Sequence, residues 1–126
     1  MEMIIGGAFH GKSVYAKTIY PEISWKSGAE ISEQELFCAQ GITEFHEFIR
    51  NELKAGRSVS ELAEKLIERN PDIIIVSDEV GYGVVPMDAF ERAYREAVGR
   101  VCTELAAFCG RVTRVLCGIG TVIKDA

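Results

Sequence analysis

Short apolar runs alternate with segments of helical period along the 126 residues of this chain. The runs at 2–5, 73–76 and 112–117 predict strands. The run at 73–76, Ile-Ile-Ile-Val, is β-branched without alternation, which is typical of a strand buried on both faces. Together with the intervening helices, this pattern predicts an α/β three-layer sandwich with a mostly parallel sheet.

Four segments with apolar residues at helical spacing accompany these runs. They cover residues 12–19, 43–56, 58–70 and 88–110. Thr43 and Asp88 are the expected N-caps of the second and fourth helices, and Gly56 and Gly110 are their expected ends. A Ser-x-x-Glu capping box at Ser58 is expected to begin the third helix.

Weaker signals lie between the first two helices and before the last one. Ile23-Ser24-Trp25 fits a short strand, and Ser32-x-x-Glu35 is a capping box. A loop is predicted at Gly81, Gly83 and Pro86. The sequence has no evident repeat, linker or low-complexity tract, so residues 1–126 are expected to form a single domain.

The most specific chemical signal is at residues 4–13, where an apolar strand leads into G-x-x-x-x-G-K-S. This is the P-loop pattern, in which backbone N–H groups surround a polyphosphate at the start of a helix. Lys12 is expected to reach the β- and γ-phosphates, and the Ser13 hydroxyl to ligate Mg²⁺. The predicted phosphate-binding residues are Gly6, Gly7, Ala8, Phe9, His10, Gly11, Lys12 and Ser13.

A second candidate feature is the pair of acids after the run at 73–76. Asp78 and Glu79 follow a predicted strand, where P-loop proteins hold the Mg²⁺ shell or orient a nucleophile. Ligands of open parallel sheets bind at this edge. With Lys12, these acids are the predicted catalytic residues, and a polar strand end before a turn explains them equally well.

Composition narrows the class of protein. The net charge of −5, without a Lys/Arg-rich run, argues against a nucleic-acid surface. No apolar run has the length of a membrane span, so a cytoplasmic protein is expected. The cysteines form no C-x-x-C pair, which favours reduced thiols over a zinc site. His10 is expected to fill a tolerant loop position, with a contact to the nucleotide as the alternative. His46 is expected at a packed or solvent-facing helix position, with a catalytic role as the alternative.

Two stretches resemble the adenosylcobinamide kinase / adenosylcobinamide-phosphate guanylyltransferase family. The sequence GGAFHGKS at 6–13 is similar to the family's GGARSGKS, and SDEVGYGVVP at 77–86 is similar to its TNEVGxGIVP. The resemblance is good over residues 1–20 and 72–126 and weak between them.

The resemblance implies a P-loop α/β fold and an activity in cobalamin biosynthesis or salvage. Members of that family phosphorylate the aminopropanol hydroxyl of adenosylcobinamide with ATP or GTP. They then transfer GMP from GTP through a guanylylated histidine, and they form trimers, which implies a homo-oligomer here. Glu79 lies in the motif beside the nucleotide site. Trp25-Lys26-Ser27 is similar to a family W-R-T, which makes the nearby Glu30 a predicted guanine contact.

The chain departs from the family pattern in the segment after its first helix. There the family carries the guanylylated histidine, whereas this chain has a shorter segment without histidine. The resemblance therefore implies a shortened member that has lost the guanylyltransferase half-reaction. The family's acid at the end of its second core strand is matched by Gln40.

Three hypotheses follow. The first is an adenosylcobinamide kinase that uses ATP or GTP with Mg²⁺, and in which Lys12, Asp78 and Glu79 act on the phosphoryl group and its acceptor. The second is a non-catalytic nucleotide-binding protein with a regulatory or scaffold role, which the loss of the acid at Gln40 favours. The third is phosphoryl transfer to an unrelated small molecule.

Overall fold

Strands and helices largely alternate along the residues that the computed structural model describes, which are 1–80 and 88–126. The loop predicted at Gly81, Gly83 and Pro86 lies outside the described residues. The strands are β1 (Glu2–Gly6), β2 (Trp25–Ser27), β3 (Gly41–Thr43), β4 (Ile74–Asp78), β5 (Arg111–Leu116) and β6 (Ile119–Asp125). The helices are α1 (Lys12–Ile19), α2 (Glu33–Leu36), α3 (Phe45–Lys54), α4 (Leu62–Arg69) and α5 (Ala89–Phe108).

The described strands form one sheet in the order β2-β3-β4-β1-β5-β6. Neighbours run parallel except β5 and β6, which are antiparallel. Gly6 of β1 lies opposite Asp78 of β4, so the loop after β1 and the acids that end β4 leave the sheet at the same edge. This is the P-loop NTPase-like α/β fold with a mostly parallel sheet, as the sequence predicted.

Helices cover both faces of the sheet. Met3 and Ile75 belong to a large apolar cluster with α3, α4 and α5. Their neighbours Ile4 and Val76 belong to a smaller cluster with Ala16 of α1. Because successive strand side chains point to opposite faces, β1 and β4 are buried on both sides. The prediction from the β-branched run at 73–76, a strand covered by helices on both faces, is therefore confirmed.

Two predicted caps are confirmed. Asp88 precedes α5, and its Oδ1 accepts the N–H of Glu91 at 2.7 Å. Ser32 and Glu35 form the reciprocal capping box at the start of α2. Both signals are local, since the cap and its partner are three residues apart.

Two other predicted caps are wrong. Thr43 is the last residue of β3, and Glu44, with φ of 53°, precedes α3 in its place. The Oγ of Ser58 accepts the N–H of Ser60 at 3.2 Å, and α4 begins later, after Glu61, without a side-chain cap. The short strand expected from Ile23 begins instead at Trp25. Thr43 is held in the sheet opposite Ser27, whereas Ser58 forms a local turn with Ser60.

Strand β6 was not expected from the sequence. Most of its residues are exposed, so no buried run marks it. It follows β5 through Cys117 and Gly118, which have φ of 53° and 77°. Positive φ at both residues is typical of the tight turns that join antiparallel strands. The turn lies against the loop after β1, where the N–H of Gly118 donates to the carbonyl of His10 at 2.8 Å.

Two further features of the described residues are the length of the helices and the state of the cysteines. Among the helices described, none is long and apolar enough to cross a membrane. All four cysteines are free thiols. Burial raises the pKa of Cys102 and of Cys109 to about 11, so both stay protonated at neutral pH and pack as small apolar groups.

Candidate functional site

The loop of residues 7–11 joins β1 to α1 and contains two left-handed residues. Gly11, the N-cap of α1, has φ of 80°, and Phe9 has φ of 65° with a fully exposed side chain. Gly6 enters the loop against β5, where an added Cβ would lie only 2.5 Å from the carbonyl oxygen of Val115. Left-handed residues at a helix start turn backbone N–H groups toward one point, as an anion requires.

Lys12 is the best-defined cation at this loop. It is 8% exposed, and its Nζ donates to the carbonyl of Gly7 at 3.0 Å. The same Nζ lies 2.5 Å from Oδ1 of Asp78. The parallel pairing of β1 with β4 brings these residues together, because Gly6 and Asp78 are register partners. The P-loop lysine and the strand-end acid predicted from sequence are therefore in direct contact.

A cavity of about 260 Å³ opens beside this ion pair, and we call it the P-loop cavity. The residues that line it are Ala8, Phe9, Lys12, Ser13, Glu44, His46, Val76 and Asp78. They come from the loop after β1, the start of α1, the carboxyl ends of β3 and β4 and the first turn of α3. The cavity thus joins an ammonium, a hydroxyl and carboxylates, the groups that handle phosphate and hard cations.

His46 is a residue of this site that the sequence did not mark. Its Nδ1 accepts the main-chain N–H of Asp78 at 3.0 Å, and its Nε2 lies 3.3 Å from Oδ2 of Asp78. Burial lowers the pKa of His46 from its ordinary 6.5, although the carboxylates of Asp78 and Glu47 oppose this effect. The imidazole is therefore neutral at pH 7. The expectation of a merely packed or solvent-facing histidine missed this contact, since the two residues are 32 positions apart.

Glu79 has different partners from Asp78. Its Oε1 and Oε2 accept hydrogen bonds from Nε and Nη2 of Arg114 at 2.8 and 3.1 Å. This is a bidentate ion pair between the end of β4 and strand β5. Its N–H donates to the carbonyl of Gly6 at 2.7 Å. Glu79 is not among the described residues that line the P-loop cavity. The two acids thus have different partners, Lys12 for Asp78 and Arg114 for Glu79, and both line the neighbouring cavity between α3 and α5.

The predicted guanine contact, Glu30, is not brought to the P-loop cavity. It is exposed in the turn after β2, and its N–H donates to the carbonyl of Ser27 at 3.1 Å. Strand β2 lies three positions from β1 in the sheet, which corresponds to about 14 Å at the usual strand spacing.

The match of Gln40 to a strand-end acid is wrong. Gln40 precedes β3, at its amino end, where its Oε1 accepts the N–H of Ser24 at 2.8 Å. Glu44 occupies the carboxyl end of that strand and lines the P-loop cavity. Its left-handed backbone, uncommon for a residue with a Cβ, is a signal that the sequence alone does not carry. The strand-end acid is therefore present, four positions later than expected.

His10 ties the P-loop to the turn between β5 and β6. Its Nδ1 accepts the N–H of Cys117 at 3.2 Å, and its carbonyl accepts the N–H of Gly118. His10 thus has two fixed partners, where the sequence suggested a tolerant position.

Comparison with known proteins gives one family. The model of the family described as cobinamide kinase / cobinamide phosphate guanyltransferase matches residues 35–123. Two curated relatives carry the name bifunctional adenosylcobalamin biosynthesis protein CobU, one from Escherichia coli (strain K12) and one from Salmonella typhimurium (strain LT2). Each is 42% identical over 52 residues, which are 41% of this chain and 29% of the relative.

The aligned stretch thus spans less than a third of either curated relative. The family match begins after the P-loop. The assignment of Gly6 to Ser13 as phosphate-binding residues therefore rests on their motif and geometry, not on this match. The matched range 35–123 includes Glu44, His46, Asp78 and Glu79 and covers more than half of the chain. The chain therefore belongs to the cobinamide kinase / cobinamide phosphate guanyltransferase family.

Proposed function

We propose that this protein is a kinase of cobalamin biosynthesis or salvage that phosphorylates adenosylcobinamide with ATP or GTP. The observation that carries the proposal is the contact between Lys12 and Asp78 beside the Ser13 hydroxyl, in one cavity after a complete G-x-x-x-x-G-K-S. Membership of a family described as a cobinamide kinase supplies the acceptor class.

The residues of the cavity have distinct proposed roles. Lys12 stabilises negative charge on the transferring γ-phosphoryl group, and backbone N–H groups from Gly7 to Lys12 hold the phosphates. The Ser13 hydroxyl is a suitable oxygen ligand for Mg²⁺, which when bound neutralises charge on the β- and γ-phosphates. The acceptor hydroxyl attacks phosphorus, its proton passes to a carboxylate, and the nucleoside diphosphate leaves.

Asp78 is the better candidate than Glu79 for that carboxylate. It lines the P-loop cavity with Lys12 and Ser13, whereas Glu79 is not among the described residues that line it. A base must lie within hydrogen-bond reach of the proton that it accepts. Glu79 would then hold the ends of β4 and β5 together beside the site.

The histidine geometry supports the loss of the guanylyltransferase half-reaction. A neutral imidazole has one unprotonated nitrogen, which is the nucleophile in phosphoryl and nucleotidyl transfer. The chain has two histidines. The Nδ1 of His46 accepts the N–H of Asp78, and the Nδ1 of His10 accepts the N–H of Cys117. Each unprotonated nitrogen is therefore already occupied by a main-chain donor.

The alternative is a non-catalytic nucleotide-binding protein. Its support from Gln40 is removed, because Glu44 holds the strand-end position. What still favours it is the short segment between α1 and α3, which leaves little chain for a corrinoid pocket. We further propose that residues 1–126 form one domain, since a single sheet runs through them. Assembly into a homo-oligomer is a proposal from the resemblance alone.

The test is transfer of label from γ-labelled ATP or GTP to adenosylcobinamide in the presence of Mg²⁺. Labelled corrinoid phosphate supports the kinase, and Lys12→Ala should abolish it. Lys17→Ala is the matched control, because Lys17 lies exposed in the same helix. Nucleotide binding without label in the corrinoid would favour the binding protein. Label in another added alcohol would point to a different acceptor.

A further inference from the structure

We propose that His46 is a positioning residue for Asp78, and that its imidazole sets where that carboxylate stands during phosphoryl transfer. The inference rests on the proposed kinase function and deepens it. It is carried by one observation: both ring nitrogens of His46 contact Asp78, one at its main chain and one at its side chain.

The two contacts fix the tautomer of the imidazole. The main-chain N–H of Asp78 is only a donor, so Nδ1 of His46, 3.0 Å away, must be unprotonated. In the neutral ring the proton then lies on Nε2, which faces Oδ2 of Asp78 at 3.3 Å. The side chain is 11% exposed and starts from the first turn of α3, so it has little freedom to leave this arrangement.

The contacts also make the two oxygens of Asp78 different. Oδ1 lies 2.5 Å from Nζ of Lys12, and Oδ2 faces the ring of His46. A carboxylate held on both sides cannot rotate about its Cβ–Cγ bond without breaking a contact. His46 therefore holds Asp78 in line with Lys12, and through it the position of the proposed base relative to the γ-phosphate.

His46 and Asp78 also form a wall between two cavities. One is the P-loop cavity, and the other, also about 260 Å³, lies between α3 and the start of α5 with Arg50 and Tyr94 in its lining. Ala8, His46 and Asp78 line both. An acceptor hydroxyl that enters from the α5 side would meet Asp78 at this wall, with Glu79 in the lining of the same cavity. Small displacements there matter, since misplacing a reacting group by 1 Å can cost about 10²-fold in rate.

The variants separate the two contacts of the ring. His46→Asn keeps an acceptor close to the place of Nδ1 and loses the donor at Nε2, whereas His46→Ala loses both. We expect kcat to fall about 10²-fold in His46→Ala and to be partly restored in His46→Asn, with the KM for nucleotide little changed in either. Glu52→Gln is the matched control, because Glu52 is a buried, ion-paired residue of the same helix outside the site.

The outcomes are distinct. Unchanged kcat in folded His46→Ala, or His46→Asn no better than His46→Ala, overturns the positioning role. A fall in kcat equal to that of Glu52→Gln also overturns it, because it would reflect damage to α3 in general. A second readout needs no turnover: ¹⁵N NMR of the ring should show the Nε2–H tautomer of His46, and the Nδ1–H tautomer overturns the inference. Absence of transfer by the unmodified protein sinks the proposed function instead.

Discussion

The Nζ of Lys12 lies 2.5 Å from Oδ1 of Asp78, so the P-loop lysine forms an ion pair with the acid that ends the neighbouring strand. A nucleotide phosphate must compete with that carboxylate for the ammonium. The same carboxylate is the proposed base. Removing its charge should therefore act in opposite directions on binding and on turnover.

Asp78→Asn is expected to bind nucleotide no more weakly than the unmodified protein and to lose about 10²- to 10⁴-fold in kcat. It should also lose about 1–3 kcal/mol of stability, because the buried Lys12 loses its charged partner and is left with neutral acceptors, the Gly7 carbonyl and the amide oxygen of the new side chain. Equilibrium binding, label transfer and urea unfolding measure the three effects. Retention of kcat in Asp78→Asn would remove Asp78 from the mechanism.

The pKa of His46 makes stability depend on pH. Burial lowers the pKa in the folded protein below the 6.5 of an unfolded chain. Below pH 6.5 the unfolded state therefore binds a proton that the folded state does not. The contribution of the neutral imidazole is present above pH 6.5 and is lost as the pH falls toward the folded pKa, with a limiting slope of about 1.4 kcal/mol per pH unit.

The comparison with His46→Asn isolates this effect, since asparagine does not titrate. Urea unfolding at pH 7.5 and 5.5 should show a larger loss of stability in the unmodified protein than in the variant. The two proteins differ only at residue 46, so the difference between the two losses reports on that side chain. Equal losses would mean that His46 has the same pKa folded and unfolded.

The parts of the site that the sequence predicted are those encoded by neighbours in the chain. The G-x-x-x-x-G-K-S pattern fixes the loop, the helix start and Lys12 within a few residues. The β-branched run fixes β4, and the acid at its end follows directly. The contact between Lys12 and Asp78 then needs one further fact, the parallel pairing of β1 with β4.

The parts that it could not predict depend on which strands are neighbours. His46 meets Asp78 only because β3 pairs with β4, and no local spacing encodes that. Glu79 and Arg114 pair because β1 alone separates β4 from β5. The position of Glu44 was missed for a different reason: β3 has only three residues, too few to reveal its end by periodicity.

A partly buried carboxylate at the other end of β1, that of Glu2, provides a third prediction. The Tyr20 hydroxyl donates to Oε1 of Glu2, while Oε2 is buried without a hydrogen-bond partner among the described residues. Burial and this hydrogen bond raise the pKa of Tyr20 to about 12, so the donor stays protonated. Tyr20→Phe should cost about 1–3 kcal/mol in urea unfolding, because both oxygens then lack a donor. Tyr15→Phe in α1 is the control and should cost clearly less.

Two glycines of opposite environment give the last prediction. A Cβ on Gly6 would lie 2.5 Å from the carbonyl oxygen of Val115, so β1 or β5 must shift to admit it. A Cβ on Gly99, inside α5, meets nothing within 4 Å. Gly6→Ala should therefore lower the free energy of unfolding by about 1–3 kcal/mol, and Gly99→Ala should raise it by about 1 kcal/mol through helix propensity.

The pair also separates stability from binding. Because Gly6 begins the P-loop, Gly6→Ala should weaken nucleotide binding in the protein that remains folded, whereas Gly99→Ala should bind as the unmodified chain does. Urea unfolding and equilibrium binding on both variants decide the matter. A Gly6→Ala protein with unchanged stability and affinity would show that β1 and β5 are not packed against each other at this edge, which would in turn remove the reason for a glycine at the entry of the loop.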